Sequence, residues 1–229
     1  MNISTGVKKL VAGATFKIPT KERGNGQCVL VEGGFIITAA HCVDWDCTSL
    51  MAVWGDYYNK IKTGSGDLTT GTLAVEPVSD IAVLGCPDDN RLPDEALAFE
   101  DWCAHIVPVK LLRRTPKARV PFPVWIRTHV ETWVAGTATY SGWSYSTFSY
   151  TTDSEIPSGT SGGPIVNHAG ELVGVVSHGT NCCKGKYYSG AGLLSLALPT
   201  WVIARSIPSK IADELPSGRL HIPPLSSGG

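Results

Sequence analysis

Three residues of the chain, His41, Asp80 and Ser161, have side chains that can together carry out nucleophilic catalysis. A serine hydroxyl is a weak nucleophile near neutral pH and needs an adjacent base. A histidine can take up the hydroxyl proton and later deliver it to a leaving amine. A buried aspartate fixes the tautomer of the imidazole and stabilises the imidazolium that forms. The three residue types therefore indicate a nucleophile, a general base and an orienting acid.

Each of these residues lies in a short motif that contains an apolar run. His41 lies in ITAAHC (37–42), Asp80 in SDIAVL (79–84) and Ser161 in GTSGGPIV (159–166). Taken singly, the motifs are also explained by a packing histidine, a turn aspartate and a tight glycine turn. The order His, Asp, Ser, with intervals of 39 and 81 residues, favours the catalytic interpretation.

The three motifs together resemble those of the trypsin/chymotrypsin-like serine peptidases, over roughly residues 10–207. The resemblance implies that His41 is the general base, Asp80 the orienting acid and Ser161 the nucleophile. It also implies that the backbone N–H groups of Gly159 and Ser161 form the oxyanion hole, where losing one donor costs about 3–4 kcal/mol. Such an enzyme hydrolyses protein or peptide substrates through an acyl-enzyme and requires no metal or cofactor. The alternative is a catalytically silent or activator-dependent relative that uses the cleft to bind proteins.

The sequence departs from the digestive members of this family at the residue before the serine. Those members have an aspartate there, which pairs with a new N-terminus released by zymogen cleavage, whereas this chain has Thr160 and no IVGG start. We therefore expect an oxyanion hole that is ordered without N-terminal cleavage. The segments 24–31 and 152–164 are more similar to bacterial-type, high-temperature-requirement proteases, and a viral polyprotein-processing enzyme would look similar. Those bacterial proteases usually carry a PDZ domain, for which the 22 residues after Ile207 are too few.

The resemblance also implies a substrate pocket, formed by Glu155, Ser177, His178, Gly179 and Gly190. Glu155 lies six residues before Ser161, where trypsin-like enzymes place the acid of the pocket floor. An acid in that position favours Lys or Arg before the scissile bond. If Glu155 faces solvent instead, cleavage after small aliphatic residues is the main alternative to cleavage after Lys or Arg. Cleavage after Glu or Gln is a third alternative, because His178, which replaces the usual aromatic residue, could meet an acidic or amide side chain.

The elements that must position these residues are short strands. The 25 glycines and 15 prolines are spread along the chain, and strand-like runs recur between turn signals, which favours an all-β domain. The resemblance implies two antiparallel six-stranded, chymotrypsin-like β-barrels with a short C-terminal helix. We expect one barrel in 1–104 with His41 and Asp80, a link in 105–119, a second barrel in 120–207 with Ser161 and the pocket, and a flexible tail in 208–229.

Several local patterns give finer expectations. The apolar run 10–16 reads as the first strand, and the glycine-containing segments 63–67 and 167–170 read as hairpin loops. The segment 86–121 lacks strand alternation and reads as the link between two β units. The amphipathic stretch 198–207 reads as a short C-terminal helix.

Composition excludes several other classes of protein. Hydrophobic residues make up 43% of the chain and charged residues 17%, so disorder is not its main state. The net charge of -1 gives no reason to expect a nucleic acid or an anionic membrane as partner. The longest apolar stretch, 193–204, is too short and interrupted to span a bilayer, which takes about 20 residues. No secretory leader is visible, so a cytoplasmic protein or a mature fragment is expected; the oligomeric state is not readable.

The seven cysteines cannot all pair within one chain. The family resemblance implies a disulfide between Cys28 and Cys42, while free thiols in a reducing cytosol are the simpler interpretation of the odd count. A metal site that combines Cys42 and Cys47 with the pair at 182–183 lacks the short paired spacings of zinc sites.

Overall fold

The computed structural model describes residues 3–20, 24–44, 57–142, 147–180 and 187–206. Within these ranges, twelve strands form two closed antiparallel barrels of six strands each. The predicted all-β fold with two six-stranded barrels is therefore confirmed.

The first barrel is built from the strands that flank His41 and Asp80. Its barrel order is β1-β2-β3-β6-β5-β4. The bounds are β1 Thr15–Thr20, β2 Gly24–Val31, β3 Phe35–Thr38, β4 Tyr58–Thr63, β5 Gly66–Glu76 and β6 Ile81–Gly85. Strands β3 and β6 are apolar apart from Thr38 at the end of β3, and both are buried along their whole length. They pair with each other in antiparallel fashion, with Ile37 opposite Val83.

The second barrel carries the Ser161 loop between its third and fourth strands. Its barrel order is β10-β11-β12-β9-β8-β7. The bounds are β7 Phe122–Arg127, β8 Trp133–Tyr140, β9 Thr147–Thr152, β10 Pro164–Val166, β11 Leu172–Thr180 and β12 Tyr187–Gly192. The hairpin loops predicted at 63–67 and 167–170 join β4 to β5 and β10 to β11, and are confirmed.

Two helices lie where the sequence predicts none. Helix α1 (Thr5–Gly13) occupies most of the run that was expected to be the first strand, and β1 begins only at Thr15. Ser4 caps α1, because its hydroxyl accepts a hydrogen bond from Val7 N at 3.3 Å. The apolar run 10–16 therefore spans a helix end and a strand start, which explains why the strand prediction is wrong there.

Helix α2 (Pro93–His105) lies in the segment predicted as a link. It begins with Pro93 and has Asp94 and Glu95 in its first turn, which favours a helix start. Its Trp102 packs edge-on against Phe16 of β1, with ring centroids 4.8 Å apart. The chain ends its described part with α3 (Leu194–Ala197) and α4 (Thr200–Arg205), the latter within the stretch 198–207 predicted as a helix.

The connection between the barrels is bonded to both of them. Val109 N donates to Leu30 O at 3.0 Å, on the first barrel. Leu172 N, on the second barrel, donates to Lys110 O at 2.7 Å. Trp125, Val166, Leu172 and Val175 of the second barrel join the apolar cluster of the first. The two barrels therefore share one packed interface, and their relative position is fixed.

None of the helices in the described ranges is both long and apolar enough to span a membrane.

Candidate active site

The pairing of β3 with β6 brings His41 to Asp80. His41 lies in a single 3-10 turn, Ala40–Cys42, just after β3, and Asp80 lies just before β6. Thr38 is paired with Ala82, so the end of one strand meets the beginning of the other. Ala40 N donates to Asp80 O at 3.2 Å and extends this contact. Two residues that are 39 positions apart are thus placed side by side by the ladder of the sheet.

The Asp80 carboxylate accepts three hydrogen bonds. His41 Nδ1 lies 2.8 Å from Asp80 Oδ2, and the His41 backbone N–H donates to Oδ1 at 3.1 Å. The Ser177 hydroxyl of β11 donates to Oδ2 as well. An ionised carboxylate accepts only, so the Nδ1 atom of His41 carries the proton in this bond. In the neutral imidazole the Nε2 lone pair is then the acceptor, as a general base requires.

These contacts raise the pKa of His41 and lower the pKa of Asp80. The hydrogen bond to Asp80 is the main cause that raises the pKa of His41 above its ordinary value. Burial acts to raise the pKa of Asp80, but the hydrogen bonds from His41 and Ser177 outweigh it and the pKa is lowered. The side chains are 25% and 17% exposed, so the pair is partly shielded from water and remains open to a substrate.

The loop that carries Ser161 is held by strands of both barrels. Ser161 O accepts a hydrogen bond from Gln27 N of β2 at 2.7 Å, and Gly162 N donates to Val176 O of β11 at 2.7 Å. Gly162 has a φ of +78°, and a Cβ there would clash with Gln27 O and Thr38 Oγ1. Only glycine fits this position. Gly162, next to Ser161, therefore lies against Thr38, and Thr38 ends the strand that leads into the His41 turn. In this way the structure brings the Ser161 loop close to the His41–Asp80 pair.

The loop before Ser161 contains the two backbone N–H groups that were predicted to form the oxyanion hole, those of Gly159 and Ser161. Gly159 has a φ of +95°, a conformation that favours glycine. Within the described residues, neither the Gly159 N–H nor the Ser161 N–H has a protein acceptor. Two donors near the serine are therefore available to a developing negative charge.

Of the five residues predicted to form the substrate pocket, four lie on the neighbouring strands β11 and β12, and Glu155 lies apart from them before the Ser161 loop. Glu155 is exposed. Ser177 directs its hydroxyl to Asp80, a contact that the sequence did not predict. Gly190 lies opposite Val176 in the pairing of β11 with β12, and the backbones of His178 and Gly179 pair with the same strand. The side chain of His178 and the surroundings of the two glycines lie outside what the structure describes.

A second contact that was missed joins His129 to the serine loop. His129, which has no motif around it in the sequence, lies with Nδ1 3.2 Å from Thr160 Oγ1. The residues are 31 positions apart and come from different loops. No local pattern in the sequence could have indicated this pair.

The thiols of Cys28 and Cys42 are both buried and free. The disulfide implied by the family resemblance is therefore absent. Cys28 Sγ instead lies 3.7 Å from Phe16 O, and burial raises the pKa of this thiol. Cys47 and the pair at 182–183 lie outside the described residues. The metal site that would combine them with Cys42 therefore stays a weakly supported alternative from the sequence.

The comparisons with known proteins agree with this geometry. The family model of the trypsin-like peptidase domain matches residues 24–175, a span that contains His41, Asp80 and Ser161. No curated protein matches the chain by sequence.

Several solved structures share the fold. A serine endoprotease from Yersinia pestis is 19% identical with a TM-score of 0.58, covering 90% of this chain and 68% of that one. A human pathogenic astrovirus serine protease is 21% identical with a TM-score of 0.51, covering 82% and 93%. A protease of M. tuberculosis in an inactive form is 16% identical with a TM-score of 0.52, covering 84% and 89%. At these identities the likeness shows the fold alone.

The family match extends over more than half of the chain, and the two-barrel fold with its Ser161 loop agrees with it. This chain therefore belongs to the trypsin-like peptidase domain family and is, by family and fold, a trypsin-like serine protease.

Proposed function

We propose that this protein is an endopeptidase that hydrolyses peptide bonds through an acyl-enzyme formed on Ser161. The observation that carries the proposal is the bond of 2.8 Å between His41 Nδ1 and Asp80 Oδ2. This bond fixes the tautomer whose Nε2 can accept a proton. The proposal assigns three roles: Ser161 is the nucleophile, His41 the general base and Asp80 the orienting acid.

In the first half of the reaction, Ser161 Oγ attacks the scissile carbonyl carbon while its proton passes to His41 Nε2. The carbonyl oxygen becomes an oxyanion, which the N–H groups of Gly159 and Ser161 stabilise. The C–N bond then breaks, and His41 delivers the proton to the leaving amine. The products of this half are the released amine and an ester on Ser161.

In the second half, water replaces the amine. His41 takes a proton from water as the water oxygen attacks the ester carbon. The tetrahedral intermediate collapses, the bond to Ser161 Oγ breaks, and the proton returns to Oγ. Throughout both halves Asp80 stays ionised and stabilises the imidazolium, which agrees with its lowered pKa.

The preference for the residue before the scissile bond is a separate part of the proposal. A preference for Lys or Arg depends on Glu155, and Glu155 is exposed. An ion pair in water contributes only about 0–1 kcal/mol, so we expect Glu155 to add at most about fivefold selectivity for a basic residue. Small aliphatic residues, and Glu or Gln, are the other preferences that the experiment compares.

A peptide library with every residue type before the scissile bond tests activity and specificity together. We expect wild type to cleave it, and Ser161→Ala to lower kcat by up to about 10⁶-fold. Glu155→Gln keeps the shape of the side chain and removes its charge, so an unchanged preference would remove Glu155 from the pocket. His168→Ala, in the exposed turn between β10 and β11, is the matched control. A folded wild type that binds peptides but cleaves none of them would favour a binding module instead.

A further inference from the structure

We propose that His129 is a positioning residue for the oxyanion hole, because it holds the Thr160 hydroxyl and packs on Gly159. This inference rests on the proposed function. It supplies what the sequence leaves open, namely how the loop before Ser161 is ordered when Thr160 stands in place of an aspartate.

The turn that presents His129 is itself well held. It joins β7 to β8, and Thr128 N donates to Thr132 O at 2.9 Å across it. The hydroxyls of Thr128 and Thr132 lie 2.7 Å apart, and Glu131 N closes the turn on Thr128 O at 3.0 Å. Thr128 is fully buried. The backbone that presents His129 to the serine loop is therefore held by the turn itself.

The hydrogen bonds of Thr160 decide which atom carries the proton. The Thr160 hydroxyl donates its single hydrogen to Pro157 O at 2.8 Å. It must therefore accept from its other partners. These partners are His129 N at 3.4 Å and His129 Nδ1 at 3.2 Å. His129 thus donates from Nδ1, in either its neutral Nδ1–H form or its charged form.

The ring of His129 also packs against the oxyanion-hole residue. A Cβ placed on Gly159 would lie 3.6 Å from His129 Nδ1 and 3.7 Å from Cδ2. Thr160 is only 1% exposed, so its hydroxyl depends on protein partners. The hydrogen bond orients Thr160 between the two N–H donors, and the ring limits how far Gly159 can turn. Both contacts restrain the backbone that carries the Gly159 and Ser161 N–H groups.

Loss of this contact should lower the rate of the chemical step and leave substrate binding nearly unchanged. Removing an oxyanion-hole donor outright lowers kcat by about 10²–10³-fold. In His129→Ala both donors remain but lose their orientation, so we expect kcat to fall about 10- to 100-fold. KM should change by less than about threefold, because the donors act on the transition state.

Three variants separate the hydrogen bond from simple packing. His129→Asn places an amide N–H near the position of Nδ1–H and loses the ring, so it should regain most of kcat. His129→Phe keeps an aromatic ring but has no donor, so it should stay near the level of His129→Ala. Thr160→Val removes the acceptor while keeping the shape, and combining it with His129→Ala should add little further loss. His168→Ala is the control for an exposed histidine.

The readouts are kcat, KM and the rate at which a fluorophosphonate modifies Ser161, each with circular dichroism to show that the variant is folded. Rescue by asparagine and not by phenylalanine supports the proposal. Rescue by phenylalanine alone, or a folded His129→Ala that reacts as fast as wild type, overturns it and leaves the proposed function standing. A folded wild type that does not react at Ser161 overturns both.

Discussion

Asp80 is the residue that sets the chemistry of its neighbours. Its carboxylate accepts from His41 at both oxygens and from the Ser177 hydroxyl. Hydrogen bonds to a charged form favour that form, so Asp80 stays ionised although it is largely buried. The ionised carboxylate in turn favours the protonated imidazole, because opposite charges at this distance attract.

The first prediction concerns the titration of His41. Its pKa is raised, so His41 keeps its proton to a higher pH than free histidine, whose pKa is about 6.5. We expect the imidazole signals of His41 in Ser161→Ala to titrate above pH 6.5 in NMR. Because only the neutral imidazole can accept the serine proton, kcat/KM of wild type should rise with pH through a midpoint above 6.5.

Asp80→Asn is the control for this titration. The amide cannot carry a negative charge, so the largest cause of the raised pKa of His41 is lost and its pKa should fall. The contact with Cys42 still raises the pKa and burial still lowers it. A wild-type His41 that titrates at or below 6.5 would show that Asp80 does not hold the imidazolium in solution.

Not every residue of the site is readable from the sequence. His41, Asp80 and Ser161 lie in local motifs, and the side-chain type of each residue indicates the chemical role that it can have. Ser177 was predicted only as a pocket residue through the family resemblance, and its contact with Asp80, 97 positions away, was not predicted. His129 has no motif around it, and its partner lies 31 positions away. A side chain that acts through a distant loop becomes visible only when the fold is known.

Among the elements, β3 and β6 contribute most directly to the site. Both are buried along their whole length, and Ile37 of β3 pairs with Val29 on one side and Val83 on the other. Ile37 has no exposed surface. The packing of this strand therefore supports the turn that carries His41.

The second prediction tests that support. Ile37→Ala removes buried methyl groups and leaves a cavity, so we expect the free energy of unfolding to fall by about 2–5 kcal/mol. Urea unfolding followed by circular dichroism measures this loss. Leu97→Ala on α2, where the side chain is 65% exposed, should change stability by less than about 0.5 kcal/mol. Equal losses in the two variants would contradict the assignment of Ile37 to the core.

The elements differ in how well their sequences predict them. Strands β3 and β6 are readable because strands buried on both faces are continuous apolar runs. The run 10–16 is misleading, because a helix ends and a strand begins inside it. The segment 86–121 was predicted as a link because it lacks strand alternation. Pro93 and the two acids after it are signals for the start of a helix, and they mark α2 inside that segment. The boundary residues, rather than average hydrophobicity, decide both cases.

At the scale of the whole molecule, the site requires both barrels. His41 and Asp80 belong to the first barrel, while Ser161 and Ser177 belong to the second. Two contacts connect them directly, the bond from Gln27 N to Ser161 O at 2.7 Å and the bond from Ser177 to Asp80. The packed interface between the barrels keeps these parts in register, so catalysis depends on the assembled molecule.

The role of Ser161 as the activated nucleophile is tested most directly by the site at which the folded protein reacts with a fluorophosphonate, read by mass spectrometry of its peptides. A fluorophosphonate reacts with a serine hydroxyl that has been activated by a base, so it reports the assembled site without a known substrate. We predict one adduct per chain, on the peptide that contains Ser161. Ser161→Ala should take up none, and His41→Ala should react far more slowly. A folded wild type that takes up no adduct, or takes it up on another serine at the same rate in both variants, would contradict the assignment of Ser161 as the nucleophile.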